Sequence, residues 1–185
     1  MHHIYHTKSF VIGSYNRGEA NKILVLYTRE MGLVRAVAQG IRLNKSKLRF
    51  GLQDFSYASV DLVRGRDIWR VTSGSTITSF PFARSQRQPL ILIARISRLI
   101  ERLCDGEEAN EKIFDDFIQA FSASREALEL HLVLRIMNTL GYIGESEILA
   151  DYLASDFNSS KIESLLKEKQ SIIAHINRAL NESQL

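Results

Sequence analysis

Cysteine is nearly absent from this chain of 185 residues. Cys104 stands alone, which excludes an internal disulfide and any cysteine-cluster zinc site. It falls among apolar residues of an expected helix and reads as a small buried hydrophobe rather than a nucleophile. No apolar run approaches the roughly 20 residues that a bilayer-crossing helix needs. The opening Met1-His2-His3-Ile4-Tyr5-His6 lacks the basic start and apolar stretch of a secretion signal, so a cytoplasmic protein is expected. Catalytic signatures are missing too: there is no Walker-type glycine loop, no G-x-S-x-G and no H-E-x-x-H. His131 and His175 lie in apolar helical surroundings without a nucleophile partner. Asp115-Asp116 reads as a solvated helix face rather than a metal site. His2, His3 and His6 could chelate a metal together, but with no carboxylate or cysteine near them in sequence a flexible, weakly metal-affine N-terminus is expected. The chain is expected to be neither an enzyme nor a carrier of a cofactor.

What is present is charge, unevenly spread. Residues 1–89 hold 4 Lys and 10 Arg against 2 Glu and 3 Asp, an excess of nine positive charges. Residues 90–185 hold 10 basic and 16 acidic side chains. Such asymmetry points the first half toward a polyanion, and the dominance of Arg over Lys favours phosphate. A basic face that only keeps the protein in solution is the plainer reading of the same numbers.

The first half carries strand patterns. Phe10-Val11-Ile12 leads into a turn at Asn16-Arg17-Gly18, and Lys22 to Thr28 is apolar on both faces, as in a well-covered strand. Arg29 to Gly32 is a short hairpin connection. Leu33 to Gln39 puts Val34, Ala36 and Ala38 on one face and Arg35 and Gln39 on the other. After a longer connection, Ile41 to Leu52, Ser56 to Val63 alternates, with Ala58, Val60 and Leu62 inward. Gly65 marks a turn before Ile68 to Phe80. Five short strands with a long link after the third are the layout of an OB-fold barrel, though an open meander or another small barrel would give the same string.

From Pro89 the period becomes helical. Ile93, Ile96, Ile100 and Leu103 form one stripe, broadened by Leu92 and Leu99, and Asp105-Gly106 stops it. A second helix is expected from about Glu107 to Phe121. A third, capped by Ser124, carries Leu128, Leu132, Ile136 and Leu140 and ends at Gly141. A short one follows over Ser146 to Leu153, and Ser160 with Glu163 is a capping box for the last. The expected class is therefore α+β in two domains: a five-stranded antiparallel OB-fold barrel over residues 1–82 that binds nucleic acid, then an all-α helical bundle over 83–185 that binds partners. The halves meet near Pro81 to Gln88.

Arg42, Lys45, Lys47 and Arg49 place four cations in eight residues of the long connection, a spacing that can track a phosphate backbone. Arg35 lies on the preceding strand, and Arg64, Arg66 and Arg70 flank the turn at Gly65. Tyr57 and Trp69 are possible base-stacking rings, whereas Phe50 and Phe55 read as barrel core or plugs. Arg95, Arg98 and Arg102, at helical spacing, suit an acidic peptide with an apolar end, or else a solvated face.

The ordered pieces Phe10-Val11-Ile12, Arg17-Gly18-Glu19, Leu24 to Thr28, Met31 to Arg35, Val37 to Arg42, Lys45 to Leu48 and Leu52 to Phe55 resemble the RecO family of recombination mediators. The family pattern there is close to V-A-K-G-A-R-x-x-x-S-x-L followed by L-Q-P-F. Leu132 to Tyr142 is similar to the family's helix ending in L-G-Y. The resemblance implies an OB-fold joined to a helical domain in a bacterial, nucleoid-associated cytoplasmic protein. It implies binding of single- and double-stranded DNA, annealing of complementary strands, and loading of RecA, with RecR, onto strands coated by single-strand-binding protein (SSB). The SSB acidic tail would dock on the helical domain. The basic positions Arg35, Arg42, Lys45 and Lys47 match basic positions of the pattern. The chain departs from it in lacking the four-cysteine zinc site of many members, in Gln39 for the usual Lys, in Asp54 for the usual Pro, and in being shorter. An RNA-binding factor built on the same barrel and a protein-interaction adaptor are the alternatives.

Overall fold

The computed structural model describes residues 3–79, 87–104, 106–123, 126–144, 147–155, 157 and 164–182. Five strands, β1 (Ile4–Arg17), β2 (Asn21–Thr28), β3 (Gly32–Ala38), β4 (Ser56–Arg64) and β5 (Trp69–Ser79), form a sheet that closes in the order β1-β2-β3-β5-β4. Helix α1 (Leu48–Gly51) lies in the link between β3 and β4. Strand order and inserted helix are those of an OB-fold. One seam, β3 with β5, is parallel, a departure from the expected antiparallel set; every other pairing is antiparallel.

Closure depends on β1, which serves two neighbours. Ile4 to Phe10 pairs with β4, and Ser9 to Arg17 pairs with β2, with an irregularity between Val11 and Gly13. A bulge of this kind bends a strand and increases its twist, as turning from one partner to the other requires. The freed Val11 carbonyl accepts from the Phe55 N–H at 2.7 Å. The interior is filled by Val11, Leu24, Leu26, Val34, Leu62 and Val71, with Ala36, Ala38 and Ala58 among them. The alternations expected for β3 and β4 are those observed.

The helices are α2 (Arg87–Leu103), α3 (Glu111–Ala123), α4 (Glu126–Thr139), α5 (Glu147–Leu153) and α6 (Lys169–Glu182). The chain divides into two compact units, Met1–Phe114 and Asp115–Leu185. In the first, β2 is buried on both faces because Tyr27, on its outer side, meets Phe114 with ring centroids 5.7 Å apart. The expected stripe Ile93, Ile96, Ile100 and Leu103 is buried. Glu107 to Asn110 stays out of the helix expected there, since Glu107 is engaged by Trp69 and Arg64; α3 starts only after Asn110, whose Oδ1 accepts from the Ile113 N–H at 3.1 Å.

In the second unit, α4 ends as expected at Gly141, with φ +79 and the bonds Gly141 N–H to Asn138 O and Tyr142 N–H to Met137 O that define a Schellman cap. Asp116 is not a solvated helix face: it is 5% exposed and takes a two-pronged contact from Arg135 at 2.8 Å. Arg135 also donates to the carbonyls of Leu153 and Ser155 and lies over the Phe157 ring. His131 is buried beside this clamp, its Nε2 2.8 Å from the Tyr152 carbonyl, and burial pushes its pKa below the usual imidazole value. The last helix begins at Lys169 rather than Ser160; a single tighter turn occupies 164–166. The Ser124 cap, the Ser160–Glu163 capping box, Phe80, Asp105, the boundary between 82 and 83, and the side chains of Leu92, Phe121 and Leu128 lie outside the described residues.

Two substitutions test these supports. A Cβ at Gly32, whose φ is +67, would lie 2.2 Å from the Glu108 carbonyl oxygen. Gly32→Ala should therefore cost more than about 2 kcal/mol, from left-handed strain plus the clash, read as a lower urea midpoint. Arg135→Met strands the buried Asp116 carboxylate and should cost about 3–5 kcal/mol, with the Asp116→Asn, Arg135→Met double variant losing less than the two single losses together.

Candidate nucleic-acid interface

The β1–β2 turn and the β3–β4 link are tied to each other by backbone and side-chain bonds. Asn21 Oδ1 accepts from the Gly40 N–H at 2.8 Å, the Ala20 carbonyl accepts from the Arg42 N–H at 3.0 Å, and the Arg42 guanidinium donates to the Gly18 carbonyl at 3.0 Å. The link itself runs as successive turns, with N–H to carbonyl bonds from Leu43 to Gly40, Ser46 to Leu43 and Arg49 to Ser46. Those turns set the cations of the 42–49 segment on a surface whose backbone is held. The Arg49 guanidinium donates to Asn44 Oδ1 at 2.8 Å.

Two concavities border this corner of the ring. One, of about 680 Å³, is lined by Lys22, Arg42, Asn44, Arg49 and Phe50, with Asp54 the one acidic residue in it. The other, of about 810 Å³, is lined by Arg17, Asn21, Gln39, Ile68 and Arg70. In an OB-fold the groove for oligonucleotides runs over strands two and three between the β1–β2 and β4–β5 loops, and the second concavity has that address. Arg17 and Lys22 were not singled out from the sequence. The only hint was their position beside the turn at Gly18, because a lone cation at a strand end carries no pattern.

The predicted basic residues divide into two groups. Arg42, Lys45, Lys47, Arg49, Arg66 and Arg70 are exposed, and among the described residues none has a carboxylate within ion-pair distance. Arg35 instead pairs with Glu101 on α2 at 2.9 Å, and Arg64 pairs with Glu107 at 2.9 Å. Arg29 makes the same kind of contact with Glu111 at 2.7 Å. The acidic segment 101–111 thus neutralises one side of the ring. Its pairs are half-exposed, each worth about 0–1 kcal/mol, so a stronger polyanion could displace them.

Neither predicted stacking ring is open. Trp69 is 6% exposed; its indole N–H donates to Glu107 at 2.7 Å, the Arg64 guanidinium lies 5.3 Å from its ring, and Tyr5 meets it edge-on. Tyr57 is half-buried, its ring centroid 6.2 Å from that of Phe114. Phe50, expected as barrel core or a plug, is instead 70% exposed. It sits on α1, where Leu48 and Leu52 take the inward positions. Phe55 is half-buried in the left-handed region at φ 65, which places it at a turn. Arg95, Arg98 and Arg102 are exposed on α2. Burial raises the Cys104 thiol above its ordinary pKa, against the lowering effect of a hydrogen bond with Tyr27, as suits an unreactive cysteine. Among the described residues no group of three or more His, Cys, Asp or Glu could hold a metal ion, and no described helix is long and apolar enough to cross a membrane.

Residues 1–80 match the family described as "Recombination protein O N terminal". The chain is 26% identical to the DNA repair protein RecO of Alkaliphilus metalliredigens over 91% of its own length and 70% of that protein's. It is 36% identical to the RecO of Dehalococcoides mccartyi over 60% of its length and 44% of the relative's, and 29% identical to that of Pelotomaculum thermopropionicum over 75% and 56%.

Removal of the carboxylate shared by Trp69 and Arg64 tests the neutralised side. Glu107→Ala should lower stability by about 1.5–3 kcal/mol, because a buried indole N–H loses a charged acceptor, and the loss is read from the urea midpoint.

Proposed function

We propose that the chain, whose residues 1–80 match the RecO N-terminal family and whose relatives are DNA repair proteins RecO, is a non-catalytic DNA repair and recombination mediator. It binds single- and double-stranded DNA along the cationic corner of the OB-fold and brings complementary strands together. The observation that carries this reading is the set of exposed cations free of carboxylate partners among the described residues, Arg42, Lys45, Lys47, Arg49, Arg66 and Arg70, of which Arg42 and Arg49 line the first concavity and Arg70 the second. Arg35 and Arg64 are available to phosphate only when Glu101 and Glu107 let go, so they form a second rank of contacts.

The physics of annealing follows from the charge. Two strands repel, and a surface that neutralises phosphates on both offsets the repulsion while they search for register. Phosphate contacts carry no sequence information, as suits a protein that must accept any sequence. Handing DNA to RecA requires partners. In this reading RecR joins the complex, and the SSB acidic tail meets Arg95, Arg98 and Arg102, where a guanidinium can take a carboxylate in two-pronged fashion. Such a protein works in the bacterial cytoplasm, at the nucleoid, and uses no cofactor.

Arg42→Ala with Lys45→Ala should weaken single-stranded DNA binding about tenfold or more at moderate salt, and should flatten the dependence of log K on log salt by about two phosphates' worth. Titrations of a labelled oligonucleotide at several salt concentrations read both. A wild-type slope near zero would remove the nucleic-acid reading. Tighter binding of an oligoribonucleotide than of the matching DNA would favour an RNA-binding factor.

A further inference from the structure

The first concavity carries a residue that phosphate binding does not call for. Phe50 leaves a whole aromatic ring in water at 70% exposure, beside Arg42, Arg49 and Lys22. Its backbone is held firmly from below. A Cβ on Gly51 would lie 3.0 Å from the Gly74 carbonyl oxygen, and one on Gly74 would lie 2.7 Å from the Leu52 side chain. The Gly51 carbonyl accepts from the Thr76 hydroxyl at 2.8 Å. Helix α1 therefore sits directly on β5, with its inward positions taken by Leu48 and Leu52.

We infer that Phe50 is the base-stacking residue of this concavity and makes it a seat for single-stranded DNA, an inference that rests on the DNA-binding reading above. A ring with only two rotatable bonds on a fixed backbone loses little freedom when a base stacks on it. Stacking is indifferent to sequence because every base has a π-face, but the bases of a duplex already cover theirs. Arg42, Arg49 and Lys22 supply the phosphate contacts on one side. The Asp54 carboxylate repels phosphate from its own part of the lining, so the strand lies with its backbone toward the cations and a base toward the ring. The concavity is within the roughly 300–1,000 Å³ range of built ligand sites.

The test compares oligo-dT with a duplex of equal length, at one low salt concentration, on the full chain. Phe50→Ala should weaken oligo-dT at least about fivefold and leave the duplex within about twofold. Phe50→Trp should keep the affinity, and its fluorescence should fall when oligo-dT is added; Trp69, the other indole of that variant, is buried. Equal losses on both DNAs, or no loss at all, in a Phe50→Ala chain overturns the inference, provided that the wild type binds DNA and the Arg42, Lys45 variant is weakened. A wild-type chain that binds neither DNA overturns the underlying reading instead, and is recognised before any variant is made. An unchanged Phe50→Trp spectrum on saturation also overturns the stacking.

Discussion

An arginine at the rim of this ring can hold a carboxylate or a phosphate, and the choice is made by what stands opposite it. Arg29, Arg35 and Arg64 face Glu111, Glu101 and Glu107 and hold carboxylates. Arg42, Lys45, Lys47, Arg49, Arg66 and Arg70 are exposed and meet no carboxylate among the described residues, Arg42 and Arg49 holding neutral oxygens of Gly18 and Asn44 instead. Of these, Arg42, Arg49 and Arg70 line the concavities at one corner of the ring, although the basic residues are spread along the whole first half of the chain. Because the occupied pairs are half-exposed and salt-screened, the division between the two groups is a balance that ionic strength and ligand can move.

The ring makes that corner rigid. A closed sheet leaves no loose edge, and the interior is already filled, so every cation must point outward. The bulge in β1 lets one strand close the ring on both sides, and the Phe55 N–H bonded at Val11 draws the end of the long link back to that bulge. The beginning of the same link is fastened to the β1–β2 turn through Asn21, Ala20 and Gly18. Between these anchors the loop has little slack, and its side chains are presented rather than left to find a place.

The second unit is held by other means. With a single cysteine in the chain, a metal cluster of thiolates is unavailable, and the buried Arg135–Asp116 pair binds α3, α4 and the turn after α5 into one piece. An ion pair in that setting is sensitive to the loss of either partner, because desolvation has already been met by both. Burial likewise lowers the pKa of His131 beside it.

The sequence by itself determined the class of fold and where along the chain the basic residues gather. The alternation in Ser56 to Val63, the doubly apolar Lys22 to Thr28 and the stripe from Ile93 to Leu103 reappear as the buried positions of β4, β2 and α2, because local periodicity follows directly from backbone geometry. The cation cluster at Arg42 to Arg49 was visible for the same reason: it is local. Contacts across long stretches of chain were not. That Trp69 gives its N–H to Glu107, that Tyr57 lies against Phe114, that Arg35 is spent on Glu101 and that Asp116 is clamped by Arg135 are pairings between residues 19 to 66 positions apart. Phe50 was misplaced for a related reason. In a four-residue helix the side that faces the core is chosen by how closely Gly51 and Gly74 approach, and that distance exists only once the ring has closed.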